Sequence, residues 1–357
     1  MSPILQVIIP AVSAFVVGIL LTPTISDFLY SKKMWKKTGG KKSALMGFDA
    51  TEFNKLHQEN EGKVPRMGGI IIWLSTILVT LILWFIAKVN PQDLAGLDYI
   101  TRSQTWIPFA ALIIGAIVGL VDDLMEVRGG TDNKAGGLSL RKRLFVVGLV
   151  GVGVSWWFYA KLGIMSINLP FDASLFLGPW IALVFILIIC ATYAGGVIDG
   201  IDGLSGGVFA SAFGAYGLIA FSLEQYSLAA FCAALVGSIL AFLWFNIPPA
   251  RFYMTETGSM ALTIVLAIVA ILTDTLGGSI GILVLPVIAL PLVLTVISNI
   301  VQVLSKKFRN GKKVFKIAPL HHHFEATGWP SYKVTMRYWI FSMISSATGV
   351  MLALTLI

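Results

Sequence analysis

The sequence predicts an all-α polytopic membrane protein of about ten transmembrane helices, built as one integral membrane domain over residues 1–357. Three observations predict it. Hydrophobic residues make up 57% of the chain and charged residues 12%, and the mean hydropathy is +0.85, far from the values of water-soluble domains. Apolar runs long enough to cross a hydrocarbon core recur from end to end. Basic residues gather in alternate connections instead of scattering.

The first run, residues 4–21, lacks a small-residue cleavage site and its charges follow it, so it reads as a retained helix. The segment 32–42 is rich in lysine and reads as a basic stretch at the headgroups, with His57 further along the same connection a surface residue. Runs at 68–87 and 106–121 come next, then a second basic connection holding Arg128, Lys134, Arg141, Lys142 and Arg143. Five further runs cover 144–162, 180–197, 205–223, 227–245 and 260–276. Cys190 and Cys232 fall inside two of them and read as small packing residues. Asp274, with Thr275 and Gly277 beside it, reads as part of a short external turn. A ninth span, 280–304, contains Pro286 and Pro291, and proline there removes a ladder hydrogen bond and predicts a bend. A third basic connection, from Lys306 to Lys316, leads to the last run at 338–357.

Charge asymmetry orients these spans. The connections after spans one, three and nine carry most of the lysines and arginines, which places them, and by alternation those after spans five and seven, in the cytoplasm and both termini outside. Orientation and contact with anionic lipid account for most of these residues. The net charge of +8 would also gather a polyanionic substrate at that face. Membrane lipid is therefore an expected partner, and nucleic acid is not.

The acids are not scattered either. Asp122 and Asp123 end span three, Asp199 and Asp202 follow span five in Gly195-Gly-Val-Ile-Asp-Gly-Ile-Asp-Gly203, and Glu256 follows span seven. Three of the four histidines, His321, His322 and His323, stand together in a connection after span nine. All four clusters fall on the same predicted cytoplasmic face. An acid at a membrane edge is costly and usually functional. Paired aspartates beside glycine-rich turns suit a Mg²⁺ site, because hard oxygen ligands hold that ion while leaving positions for water and substrate phosphates. No phosphate-binding Walker loop, dinucleotide glycine pattern, CxxC pair or nucleophile elbow is present, so the chemistry is expected from these membrane-edge connections.

These residues resemble a known family. Pro65-Arg-Met-Gly-Gly69, the Asp122-Asp123 pair, Asp199-Gly-Ile-Asp-Gly-Leu204, the segment 245–259 and Pro319-Leu-His-His-His-Phe-Glu325 are together similar to the phospho-N-acetylmuramoyl-pentapeptide transferases (translocase I). That family sits within the polyprenyl-phosphate N-acetylhexosamine-1-phosphate transferases. The resemblance covers nearly the whole chain, and the histidine segment with Gly328-Trp-Pro330 is its most specific part. It implies ten helices with both termini outside and an active site on the cytoplasmic face of a bacterial inner membrane. It implies a Mg²⁺-dependent attack of undecaprenyl phosphate on UDP-N-acetylmuramoyl-pentapeptide, giving lipid I and UMP for peptidoglycan synthesis. A homodimer is compatible with it.

By position, the resemblance makes Asp122 and Asp123 the acidic pair, one of them a base toward the lipid phosphate. Glu256 stands where the family keeps a Mg²⁺-binding aspartate, with Asp199 as a second metal ligand. Asp199, Asp202 and Asn246 would line the nucleotide site, Tyr253 would stack on uracil, Lys142 would bind substrate, and the histidines would contact the sugar-phosphate side. The chain also departs from the family pattern. Glu256 replaces the usual aspartate, Tyr193 and Gly196 occupy positions where asparagines are usual, and Arg66 stands in place of threonine. Other readings are a transferase of another UDP-N-acetylhexosamine, a non-catalytic paralogue, and an ion-coupled transporter. The transporter reading is disfavoured because the acids sit at one edge instead of the bilayer midplane.

Overall fold

A computed structural model of the protein describes residues 1–36, 63–129 and 137–356. His57 and the basic residues Lys37, Lys41, Lys42, Lys55 and Lys134 lie outside the described residues. The helices are α1 (Pro3–Ser31), α2 (Ile70–Val89), α3 (Trp106–Arg128), α4 (Leu140–Trp156), α5 (Ile181–Ala194), α6 (Leu204–Ser222), α7 (Tyr226–Asn246), α8 (Thr255–Thr275), α9 (Gly281–Ile288), α10 (Leu290–Phe308), α11 (Leu320–Ala326) and α12 (Ser331–Thr355). All but α9 and α11 belong to the ten helices that are long and apolar enough to cross a membrane among the described residues. Two of these spans, α4 and α5, reach that length by extra turns at Trp157–Lys161, Gly178–Trp180 and Gly195–Ile198.

Helix α8 is the centre of the bundle, with every residue from Thr257 to Asp274 buried. Its hydroxyls satisfy themselves: Thr263 donates to the Ser259 carbonyl at 2.7 Å and Thr273 to the Val269 carbonyl at 3.1 Å. Such back-bonding lets a polar side chain sit in an apolar bundle. Helix α3 approaches α8 along Gly115 and Gly119, spaced four residues apart. A Cβ on Gly115 would lie 2.9 Å from the Ala261 Cα, and one on Gly119 would overlap the Glu256 carbonyl. Small residues let two backbones approach where lipid offers no hydrophobic drive. A second seam joins α1 to α7, where a Cβ on Gly18 would come 2.5 Å from that of Ala241.

The span expected to bend at its prolines is in fact two helices, separated at Ala289. Pro286 lies near the end of α9 and Pro291 in the first turn of α10, where a missing N–H removes no ladder bond.

The connections divide between two ends of the bundle. At one end, Asn168 of a two-stranded hairpin meets the end of α8. The hairpin, β1 (Ser166–Asn168) with β2 (Ser174–Phe176), pairs antiparallel in the register Ser166↔Phe176 and was not expected from the sequence. The Asn168 amide donates to Asp274 Oδ1 at 3.0 Å, and the Ile282 amide to Asp274 Oδ2 at 3.1 Å. Asp274 is thus fully buried in the last turn of α8, which corrects the external turn read from the sequence. The hairpin covers an acid that the sequence alone would leave facing water. The other end gathers Pro65–Gly69, the ends of α3 and α5, the start of α8, and α11.

Candidate active site

Helix α3 does not stop where its apolar run stops. It continues to Arg128, so Asp122 and Asp123 lie inside the helix and are fully buried, not exposed at its end. The extra turn persists because protein covers it. Arg66 lies over Asp123 and Glu126, and Arg143 of α4 lies over Asp122.

Asp123 reaches across to the start of α8. Its Oδ2 accepts from the Thr255 hydroxyl at 2.5 Å, the Thr257 hydroxyl at 2.6 Å and the Thr257 amide at 2.9 Å. It therefore caps the N-terminus of another helix, where free amides and the helix dipole favour a carboxylate. Asp122 accepts from the Leu138 amide at 2.5 Å and pairs with the Arg143 guanidinium at 2.7 Å. Glu126, one turn further along α3, pairs with Arg66 and Lys36, each at 2.8 Å. Ligand atoms of Asp122, Asp123 and Glu126 all lie within 4.8 Å of one another, a spacing that could hold a metal ion.

Glu256 is in the first turn of α8, not in the connection before it. One of its oxygens pairs with Arg143 and the other lies 3.5 Å from the Tyr193 hydroxyl of α5. Asp199 joins the same centre through Thr255. The Thr255 amide donates to Asp199 Oδ2 at 2.8 Å while its hydroxyl donates to Asp123, and Ser205 donates to Asp199 Oδ1 at 2.7 Å. Burial pushes the Asp199 carboxyl above the usual carboxylate range, against these hydrogen bonds that pull it down. Thr255 holds this double role at a φ of 56°, a strained setting for a branched residue.

The histidines form the short helix α11 and not a loop. His322 Nδ1 is 2.7 Å from Glu325 Oε2, and Glu325 Oε1 accepts from Ser331 at 2.6 Å. The other ring nitrogen, Nε2, is the one turned away from Glu325. That nitrogen faces the turn between Asp199 and Asp202. A Cβ on Gly200 would lie 2.7 Å from Nε2 of both His321 and His322, so only glycine lets the turn and the helix meet. His323 points elsewhere, its Nδ1 accepting from the Lys316 amide at 3.1 Å. Burial and the nearby Lys316 charge hold its imidazole below the ordinary histidine range.

The remaining expected residues are built into the walls. Asp202 Oδ2 accepts from the Ala250 amide at 3.0 Å, and its carbonyl accepts from Thr335 at 2.9 Å. Asn246 accepts from the Gly203 amide at 3.0 Å and donates to the Phe252 carbonyl at 2.7 Å. Both therefore tie the 199–203 turn to the segment before α8. Tyr253 is half-buried, and its backbone pairs with Pro65 and Gly68. Lys142 is exposed, while its neighbour Arg143 turns inward. Glu126, Arg143 and Thr255 thus belong to the centre but were not expected there from the sequence, and Arg66, noted only as a departure from the family pattern, joins them. Glu126 falls on the Asp122–Asp123 face of α3 at three- and four-residue spacing, a signal readable once the helix is extended beyond its apolar run.

Among the described residues, the donor set of this centre consists of hard oxygen ligands. Among the same described residues, five carboxylates (Asp122, Asp123, Glu126, Asp199 and Glu256) meet three cations (Lys36, Arg66 and Arg143). Such a set fits Mg²⁺.

Comparison with known proteins bears on the same residues. A family model described as "Glycosyl transferase family 4" matches residues 105–274, which include both aspartate clusters and Glu256. The chain is 32% identical over 350 residues to the phospho-N-acetylmuramoyl-pentapeptide-transferase of Geobacillus thermodenitrificans, covering 97% of each chain. It is 31% identical over 347 residues to the protein of that name from another Geobacillus species, covering 96% of each, and 32% identical over 341 residues to that of Bacillus anthracis, covering 94% of each.

Proposed function

The chain belongs to the phospho-N-acetylmuramoyl-pentapeptide-transferase family, a family of membrane-embedded phosphotransferases of peptidoglycan synthesis, and from that premise we propose its reaction in full. Undecaprenyl phosphate attacks the β-phosphorus of UDP-N-acetylmuramoyl-pentapeptide. A new P–O bond joins lipid and sugar phosphates, the bond between the two phosphates of the donor breaks, and lipid I and UMP leave. The reaction takes place at the cytoplasmic face of a bacterial inner membrane, with both termini outside.

One observation carries this reading: four separate chain segments bring their polar residues to a single centre through Thr255 and Gly200. In it, Asp122, Asp123 and Glu126 would hold Mg²⁺, with Glu256 and Asp199, the ligands expected from the sequence, on the adjoining side. When bound, the ion supplies charge neutralisation at the donor's phosphates. Arg66 and Arg143 add fixed positive charge where negative charge grows on departing UMP. The 199–203 turn, pinned by Asp202 and Asn246, forms the floor for the nucleotide, and Tyr253 offers its half-buried ring to the base. His322, oriented by Glu325, contributes to the sugar-phosphate side. The acceptor's lipid chain has a place beside the histidine helix: a cavity of about 250 Å³ lined by Leu294, Phe324, Tyr338 and Phe341. Arg337, 4.1 Å above the Trp329 ring, supplies a cation at that cavity.

The test is UMP release by purified protein given undecaprenyl phosphate and Mg²⁺ with UDP-N-acetylmuramoyl-pentapeptide, and with UDP-N-acetylglucosamine in parallel. Metal-dependent UMP from the muramoyl donor alone is the expected result. UMP from the second donor alone would make the protein a transferase of a different sugar.

A further inference from the structure

Glu256 is a long acid held by two residues on two different helices, and the three meet at one corner of the centre described above. Arg143 uses its whole planar fork. Nε lies 3.3 Å from Asp122 Oδ1, Nη2 lies 2.7 Å from Asp122 Oδ2, and Nη1 pairs with Glu256 Oε1. One guanidinium thus bridges two like charges that would otherwise repel. The second oxygen of Glu256 is left to Tyr193, whose hydroxyl lies 3.5 Å away. A glutamate has three rotatable bonds, and a side chain about one-fifth exposed would sample several of their settings. The guanidinium on one oxygen and the Tyr193 hydroxyl beside the other restrict both the direction of the carboxylate and its rotation. The Tyr193 hydroxyl is also neutral, so it orients the acid without adding charge to it.

We propose that Tyr193 and Arg143 are positioning residues that form a clamp on Glu256, fixing its carboxylate beside Asp122 for the transfer reaction. The length of Glu256 and the presence of Tyr193 belong together. A carboxylate one methylene shorter on the same turn of α8 would withdraw from the hydroxyl, and a phenylalanine in place of Tyr193 would leave the longer side chain with one restraint. The clamp joins α3, α4, α5 and α8, so it also fixes the relative rotation of four spans at their ends.

This inference rests on the transferase reading, and a double-mutant cycle separates the two. Tyr193→Phe, Glu256→Asp and the double variant are compared with the parent protein for kcat and KM on whichever UDP-sugar is turned over. Tyr193→Phe is expected to lower kcat about 5-fold with little change in KM. In the Glu256→Asp background the same change is expected to cost less than about 2-fold, because the contact is already gone. Equal losses in both backgrounds, or no loss in either, would overturn the clamp. Arg143→Lys, which keeps the charge but not the fork, is expected to recover only part of the activity lost in Arg143→Met. Full recovery would show that charge alone is needed and would also overturn it. If the parent protein turns over no donor, the functional reading fails by itself. The cycle is then read from melting temperatures in detergent, where non-additive shifts support the clamp and additive shifts overturn it.

Discussion

At the scale of single residues, Asp123 is an acid that holds the fold, whatever else it does. Its carboxylate satisfies both hydroxyls and an amide at the start of α8. Asp123→Ala leaves those buried donors without an acceptor and is expected to cost about 3 kcal/mol, seen as a lower melting temperature as well as lost activity. A loss of activity at unchanged stability would confine Asp123 to chemistry. His323 gives a pH prediction. Its imidazole is held below the ordinary range, so the folded protein resists a proton that the unfolded chain accepts. Its contribution to stability is therefore intact at neutral pH and lost as pH falls below about 6.5. Protonation also removes the acceptor for the Lys316 amide, so the protection of that amide against hydrogen exchange, taken relative to its intrinsic rate at each pH, is expected to drop at acid pH. The residue-level roles were only partly legible. Asp122, Asp199, Glu256 and the histidines stood out as polar residues beside apolar runs. Nothing in the sequence separates Lys142 from Arg143, because helical phase decides which of two adjacent cations turns inward.

At the scale of elements, the site depends on how closely α3 can approach α8. The glycine at 119 lets the helices touch at the level of Glu256, just before the aspartate pair. Gly119→Leu would push α3 outward and separate Asp123 from Thr257. A displacement near 1 Å is enough to reduce turnover on the order of 100-fold. Retained turnover, measured as UMP release, would mean that the aspartates tolerate that displacement. The ten spans themselves were legible, since long apolar runs have few other uses. Their ends were not. The apolar run of α3 stops at Val121, yet the helix runs on because Arg66 and Arg143 replace lipid as its surroundings. The separation of α9 from α10 exceeded the expected bend: Pro286 lacks a ladder donor near the end of α9, and Pro291 stands in the first turn of a new helix, where proline is tolerated.

At the scale of the whole molecule, the connections form two ends, and orientation across the membrane follows from charge. A thiol introduced by Asp172→Cys, in the hairpin connection, is expected to react with an impermeant reagent on intact cells. One introduced by Lys312→Cys, in the connection before α11, is expected to react only after permeabilisation. Cys190 and Cys232 would first be replaced by alanine. The reverse pattern would overturn the proposed orientation, in which the site lies on the cytoplasmic face. Helix α8 adds a consequence for the bilayer itself. It has 21 residues, and it is anchored at one end through Asp123 and at the other through Asp274. At 1.5 Å per residue such a helix is about 31 Å long, close to the hydrocarbon thickness of an ordinary bilayer. A strut tied at both ends cannot shorten or slide, so lipid thickness sets how deep the carboxylates lie below the headgroups. Activity in vesicles should therefore pass through a maximum as acyl chains lengthen, falling when the centre stands clear of the lipid phosphates and again when it sinks beneath them.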